Sequence, residues 1–251
     1  MPGQGVGDLI KYLILSLMLI TLNLSPALAQ DPLVLIAEIE GKIAAINGFS
    51  ATVETSETAQ VGGAAQSGGR LTVSRQYGWK MVSDKGPEPS TTVADFKTFY
   101  QFFPRDRRVM KLTADNDELR AMMIKPITDM NPLVVLNTAS IIFKGSEILD
   151  GETVHRFEGT TETQLMPGGP RVMRKLDAWI STADGLPRKT VESVGSSEAT
   201  TVYRDVKVNP PLTAEDFQFQ VPDGAIIIDA NKQMKQMEDN LRQGREALSE
   251  P

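Results

Sequence analysis

Few side chains in this sequence could do chemistry, and their spacing offers little to catalysis. Arg75 follows Leu71 and Val73 at two-residue intervals, so in an extended chain it shares their face. A guanidinium on an apolar face must find acceptors, and the free carbonyls at a helix end would serve. His155 is the only histidine, there is no cysteine, and it follows an Asp-Gly turn; it reads as a surface or half-buried residue. The run Asp115-Asn116-Asp117-Glu118 has the oxygens of a cation loop but lacks the glycine and the distal glutamate, so it reads as a helix cap. Carboxylates are plentiful, yet none stands in a recognisable pairing. Gly-x-Ser-x-Gly, His-Glu-x-x-His and a phosphate loop are all absent. The sequence predicts no enzyme, no metal and no cofactor.

The elements that must position Arg75 are mostly strands. Asp31-Pro32 supplies an N-cap and an N1 proline, and Leu33, Ile36, Ile39, Ile43 and Ile46 recur at helical spacing up to Asn47-Gly48. From Phe49 the period becomes two. Phe49, Ala51, Val53 and Thr55 alternate, a Gly/Ser/Gln-rich stretch over Gly62–Gly69 predicts a flexible turn, and Leu71, Val73, Arg75, Tyr77 and Trp79 alternate again. Extended runs follow at Thr91–Asp95, Thr98–Phe103 and Arg107–Leu112.

Two apolar helices are predicted next, one over Asp115–Ile124 and a short one from Asn131-Pro132 through Leu136. Asp150-Gly151 and Asp184-Gly185 mark hairpins, as does Pro167-Gly168-Gly169-Pro170. Phe217, Phe219 and Val221 alternate with Gln218 and Gln220, which predicts a last strand with one apolar side. The count is about ten or eleven strands, nearly all antiparallel because strand follows strand through short turns. Residues 230–251 turn polar, with Met234, Met237 and Leu241 as a thin helical stripe.

Composition narrows the class. The chain has 251 residues, 41% of them hydrophobic, which suits one sizeable core. Its formal net charge of −6 leaves no electrostatic footprint for nucleic acid. Leu9–Leu24 is almost wholly apolar and ends before Ala27 and Ala29, the small residues of a cleavage site, so residues 1–29 read as a signal peptide with 30–229 as the domain. Lys11 is offset by Asp8, which keeps an uncleaved anchor open.

The order of the motifs resembles the periplasmic outer-membrane lipoprotein carrier (LolA-like) family. The matching pieces are Gly69-Arg70-Leu71-Thr72-Val73-Ser74-Arg75, Val93-Ala94-Asp95 with Phe99-Tyr100-Gln101-Phe102-Phe103-Pro104, Asp184-Gly185-Leu186-Pro187, and Val208-Asn209-Pro210 leading to Phe217-Gln218-Phe219-Gln220-Val221-Pro222-Asp223-Gly224. Two positions depart from the family pattern: Gln76 stands where a proline is usual, and Phe96 where a glycine is.

The resemblance implies an unclosed antiparallel half-barrel, lidded on its concave face by short helices, that shelters the acyl chains of a lipoprotein or lipid crossing the periplasm. Arg75 stands at the place of the family's lid-controlling arginine. The cavity wall would draw on Leu71, Val73, Tyr77, Trp79, Phe99, Phe102, Met110, Met122, Met123, Leu133, Leu136, Phe217 and Phe219. Methionines suit such a wall because they repack around chains of differing shape, and Met81, Met130, Met166 and Met173 complete that pool. Partners on this reading are an acylated cargo, an inner-membrane donor and an outer-membrane acceptor, with the carrier itself monomeric. The alternative is a non-enzymatic module that senses a lipid or lipoprotein in the envelope.

Overall fold

Asp31 caps the first helix by accepting from the Leu33 amide at 2.9 Å, and Pro32 occupies the first turn, where its missing N–H costs nothing. The computed structural model describes residues 31–59, 63–128, 130–164 and 171–249; the expected signal peptide over 1–29, the expected turn at Pro167–Pro170 and Met166 lie outside them. Helix α1 spans Pro32–Ala44 and buries Leu35, Ile39 and Ile43. The expected stripe began at Leu33, but Leu33 is 52% exposed and Leu35 is 4%. The i, i+4 series Leu35-Ile39-Ile43 sets the buried face, and Leu33 falls outside it in the first turn.

Six strands follow: β1 (Gly48–Ala59), β2 (Gly63–Ser74), β3 (Gly78–Lys85), β4 (Ser90–Ala94), β5 (Thr98–Phe103) and β6 (Arg108–Thr113). Helix α2 (Asp117–Thr128) and two single-turn helices at Pro132–Val135 and Thr138–Ser140 interrupt the sheet. Strands β7 (Ile142–Leu149), β8 (Glu152–Gln164), β9 (Arg171–Ser181), β10 (Pro187–Val194), β11 (Ser197–Val208) and β12 (Ile226–Asp229) complete it, and α3 (Ala230–Ser249) ends the described chain.

All twelve described strands form one sheet in the order β12-β6-β5-β4-β3-β2-β1-β11-β10-β9-β8-β7. It does not close, since β12 and β7 each have one neighbour, so the expected unclosed half-barrel is borne out. Each pair is antiparallel except β12 with β6, which is parallel and adds a strand the sequence count missed. A parallel neighbour requires a crossover. Here the chain leaves β11, passes the single turn Ala214–Phe217 and reaches the far edge of the sheet.

Two expectations are corrected. Residues 63–69 are part of β2 rather than a turn. Their small side chains serve close approach: a Cβ on Gly69 would stand 1.9 Å from the Val82 carbonyl oxygen, and one on Gly68 2.7 Å from that of Val53. Phe217–Val221 is not a strand either. Phe217 ends a helical turn, and the residues after it join no ladder.

The inner face of the sheet carries the core. Phe49, Ala51 and Val53 of β1, Val73 of β2, Phe157 of β8 and Leu176, Ala178 and Ile180 of β9 pack with Leu35, Ile39, Ile43 and Ile46 of the N-terminal helical segment. Met130, Leu133 and Leu136, from the stretch after α2, join the same cluster. Leu136 fits because Gly159 beneath it has no Cβ; one there would meet Leu136 Cδ1 at 2.7 Å. The helices and the cover stretch therefore close the inner face over one part of the sheet.

Candidate functional site

Ladder register carries the inner face outward from β1 in two rows. Phe49 stands beside Val73, then Trp79, Ala94, Phe99 and Leu112 in successive strands. Ala51 stands beside Leu71, then Met81, Thr92, Gln101, Met110 and Ile228. Residues directly opposite in a ladder share a face, so these rows form one surface. Leu71, Trp79, Met81, Phe99, Met110, Leu112 and Ile228 are all only half-buried. Trp79 meets Phe99 edge to face at a centroid distance of 6.0 Å. The result is an apolar wall on β2–β6 and β12 whose side chains are not fully covered by protein.

Helix α2 lies against β2 and β3 at this wall. Trp79 Nε1 donates to the Met123 carbonyl at 2.6 Å, and the Met123 side chain is buried beneath the helix. Pro126 sits inside α2 and has no N–H to give the Met122 carbonyl, which weakens the last turn. Among the described residues, the Trp79 indole, the Met123 side chain and Ile127, which packs against the core cluster, hold the helix to the sheet, with a break at Pro126 before the stretch that continues to Met130.

Arg75 occupies the inner rim at the end of β2. Its Nε donates to the Ile46 carbonyl at 2.7 Å and its Nη2 to the Ile43 carbonyl at 3.0 Å, and Nη2 approaches Met130 Sδ at 4.0 Å. The side chain therefore holds the backbone at the C-terminal end of α1, rather than the carbonyls of a mid-sheet lid helix. It is exposed rather than buried, so water solvates the rest of the guanidinium. Arg75 bridges β2, α1 and the cover stretch at one point.

The proposed wall residues divide. Leu71, Val73, Trp79, Phe99 and Met110 lie on the inner face, with Met123, Leu133 and Leu136 supplying the cover. Nothing is described for the Met122 side chain. Tyr77, Phe102, Phe217 and Phe219 are corrections, because they belong to the other side. Phe102 pairs with Thr91 and Val109, one residue out of phase with Phe99. Tyr100 shares its face with Val93 and stacks on Phe219 at 4.9 Å, and Tyr77 stacks on Phe217 at 6.2 Å. The Phe-Gln-Phe-Gln alternation is real, but the crossover to β12 carries it over the outer face.

The sequence reading missed Ile228. The run Ile226-Ile227-Ile228 was a usable sign, since three consecutive β-branched residues before a polar helix mark a strand. His155 is half-buried, within the expected surface or half-buried range; its Nδ1 lies 2.8 Å from Ser146 Oγ, and Phe143 and Phe157 meet its ring edge to face. It lies on the inner face away from the wall. Among the described residues no cluster of acidic or histidine side chains could hold a metal ion.

The class so defined is a single unclosed sheet with a helix-covered inner face and a partly uncovered apolar wall. No family model matches the sequence, and no curated protein matches it. Solved structures similar in fold include an uncharacterized conserved protein from Thermus thermophilus, with 13% identity over 77% of this chain and 98% of that one at a TM-score of 0.49. The lipoprotein LppX from Mycobacterium tuberculosis matches at 16% identity over 73% of this chain and 100% of its own, with a TM-score of 0.46. A LolA superfamily protein from Nitrosomonas europaea matches at 10% identity over 73% and 97%, with a TM-score of 0.39. These likenesses are of fold, and the function is argued from the site.

Proposed function

We propose that the protein is a non-enzymatic carrier that shelters the acyl chain of a lipid or lipoprotein against the inner wall of β2–β6 and β12, in the periplasm, after removal of its leader. The observation that carries this reading is the half-buried wall: seven apolar side chains in register, left partly uncovered beside a helix interrupted by Pro126. Burying an acyl chain gains about 0.8 kcal/mol per methylene, so a chain that displaces α2 and fills the wall recovers far more than one indole hydrogen bond. The motif order from Gly69-Arg70-Leu71 to Val221-Pro222-Asp223-Gly224 supports the same reading.

Delivery needs the empty, covered state to compete with the filled one. Arg75 is placed to set that balance, because it ties the end of α1 to β2 and touches Met130 of the cover. Transfer on this reading runs from an inner-membrane donor to an outer-membrane acceptor.

The test is mass spectrometry of protein purified without detergent, with a fluorescent fatty-acyl probe bound to the delipidated chain. A co-purified acylated molecule, and probe binding that falls in Phe99→Ala, are expected. Protein free of acyl groups that also leaves the probe unbound would remove the carrier reading.

A further inference from the structure

Asn131 sits in the cover stretch between Met130 and Leu133, and it is 4% exposed. Its Oδ1 accepts from the Leu133 amide at 3.0 Å and so caps the Pro132–Val135 turn. Its Nδ2 is buried, and no hydrogen-bond acceptor among the described residues lies within reach of it. Leaving a donor of this kind unmade costs about 1–3 kcal/mol. A cap alone does not explain the amide, because serine or aspartate would supply the same oxygen without the stranded donor.

The surroundings restrict what could satisfy it. Met130 and Leu133 belong to the cluster that also holds Val73, against which Leu71, Trp79 and Met81 of the wall are packed. The donor is thus enclosed in the cover stretch, on a residue flanked by side chains of the apolar cluster that reaches the wall. A naked anion would lose its hydration there for one neutral donor. A pure hydrocarbon would leave Nδ2 stranded. A neutral carbonyl at the head of a hydrocarbon chain answers both requirements.

We infer that Asn131 Nδ2 is the recognition group for the acyl carbonyl of the cargo, the ester or amide that joins the fatty chain to its carrier molecule. This rests on the carrier reading above. The chain then runs from Asn131 along Trp79, Met81, Phe99 and Met110, and the polar remainder leaves past Arg75, whose Nη2 reaches Met130 Sδ. Asn131 is a specificity determinant on this inference: it separates acylated molecules from alkyl chains of equal length.

The experiment compares dipalmitoylglycerol with its diether analogue, which has the same chains and no carbonyl, and with an N-palmitoyl peptide, which carries an amide. Wild-type protein should bind the ester about 3- to 10-fold more tightly than the ether, the worth of one net hydrogen bond. Asn131→Ser keeps the capping oxygen and removes the amide. It should melt at or above the wild-type temperature when empty, hold its ether affinity and lose the ester preference. Asn131→Asp, which places an acceptor where the donor was, should also abolish the preference and serves if the serine variant folds poorly. A preference shown by the N-palmitoyl peptide over the ether assigns the carbonyl to an N-acylated cargo. Equal binding of the carbonyl-bearing and ether ligands by wild-type protein would overturn the assignment and leave the carrier reading standing. Failure of wild-type protein to bind any of the three would sink both.

Discussion

The two wings of the sheet differ in how their inner faces are covered. On the side of β1 and β8–β11, the inner residues Phe49, Phe157, Leu176, Ala178 and Ile180 are closed in by α1 and the Met130–Leu136 stretch. On the side of β3–β6, the large inner residues stay half-buried and only the small Ala94 is fully enclosed on that face, whereas the outward-facing Val93 and Val109 are 2% and 0% exposed. Val93 pairs with Lys80 and Tyr100, so it points outward, where Phe217 and Phe219 cover that surface. Both wings obey the same alternation of period two. What differs is the element laid over each face: helices inside one wing, an aromatic crossover outside the other.

The largest test of that difference is a pair of phenylalanine truncations. Phe157 is fully buried in the closed wing, so Phe157→Ala should cost about 3–5 kcal/mol in denaturant unfolding, through lost transfer energy and the cavity left behind. Phe99 lies on the half-open wall, and Phe99→Ala should cost about 1 kcal/mol, since much of its surface is already wet. Equal losses at the two sites would show that the wall is packed like a core, and the contrast between the wings would fail.

Arg75 joins the wings, and its effect should fall between those two. Arg75→Leu removes one hydrogen bond to the Ile43 carbonyl in the last turn of α1 and one to the Ile46 carbonyl just beyond it. Each is worth about 0.5–1.5 kcal/mol net, and exposure places the total near the low end, at about 1–2 kcal/mol. The variant should fold, with faster amide exchange confined to α1 and the cover, and slower release of acyl cargo. Unchanged exchange in α1 would show that Arg75 clamps nothing.

Much of this fold could be read from the chain because its signals are local. Asp31-Pro32, Asp150-Gly151 and Asp184-Gly185 fix a helix start and two turns by backbone chemistry that does not depend on neighbours. Arg75 was legible for a similar reason, as one charge in phase with an apolar run. Phe102 was misassigned because it is three residues from Phe99 and so on the opposite face of β5, and Tyr77 because it lies in the turn after β2, where the alternation has already ended. Phe217 and Phe219 were assigned to the wrong side because alternation gives a period and not which face is inside. That choice belongs to the crossover from β11 to β12, a contact between residues more than a hundred positions apart in the case of Tyr100 and Phe219. Asn131-Pro132 was legible as the start of a short helix, which the structure places at Pro132–Val135, but a stranded amide can only be recognised once the surrounding acceptors are known.

The smallest effect should come from acid, and it should strike the closed wing first. His155 faces Ser146 on β7 and the rings of Phe143 and Phe157, with Glu38 and Lys42 of α1 close enough to act on its charge. Burial holds its pKa below the ordinary value; Glu38 opposes that shift and Lys42 adds to it. A histidine with a depressed folded pKa binds its proton more readily when unfolded. Its contribution is complete above the ordinary value of about 6.5 and is lost as pH falls below it. Glu152 acts later. Burial raises its pKa, but hydrogen bonds from Arg188 and Ser181 and the Arg188 charge outweigh this, and the net shift is downward from 4.5. Its contribution is present above that value and disappears as pH falls through the lower folded one. Denaturant midpoints measured from pH 7.5 to 4 should therefore decline in two stages, with His155→Gln flattening only the first. If His155→Gln instead leaves the slope below pH 6.5 unchanged, the imidazole beneath α1 is not what acid loosens, and the closed wing owes its acid response to its carboxylates alone.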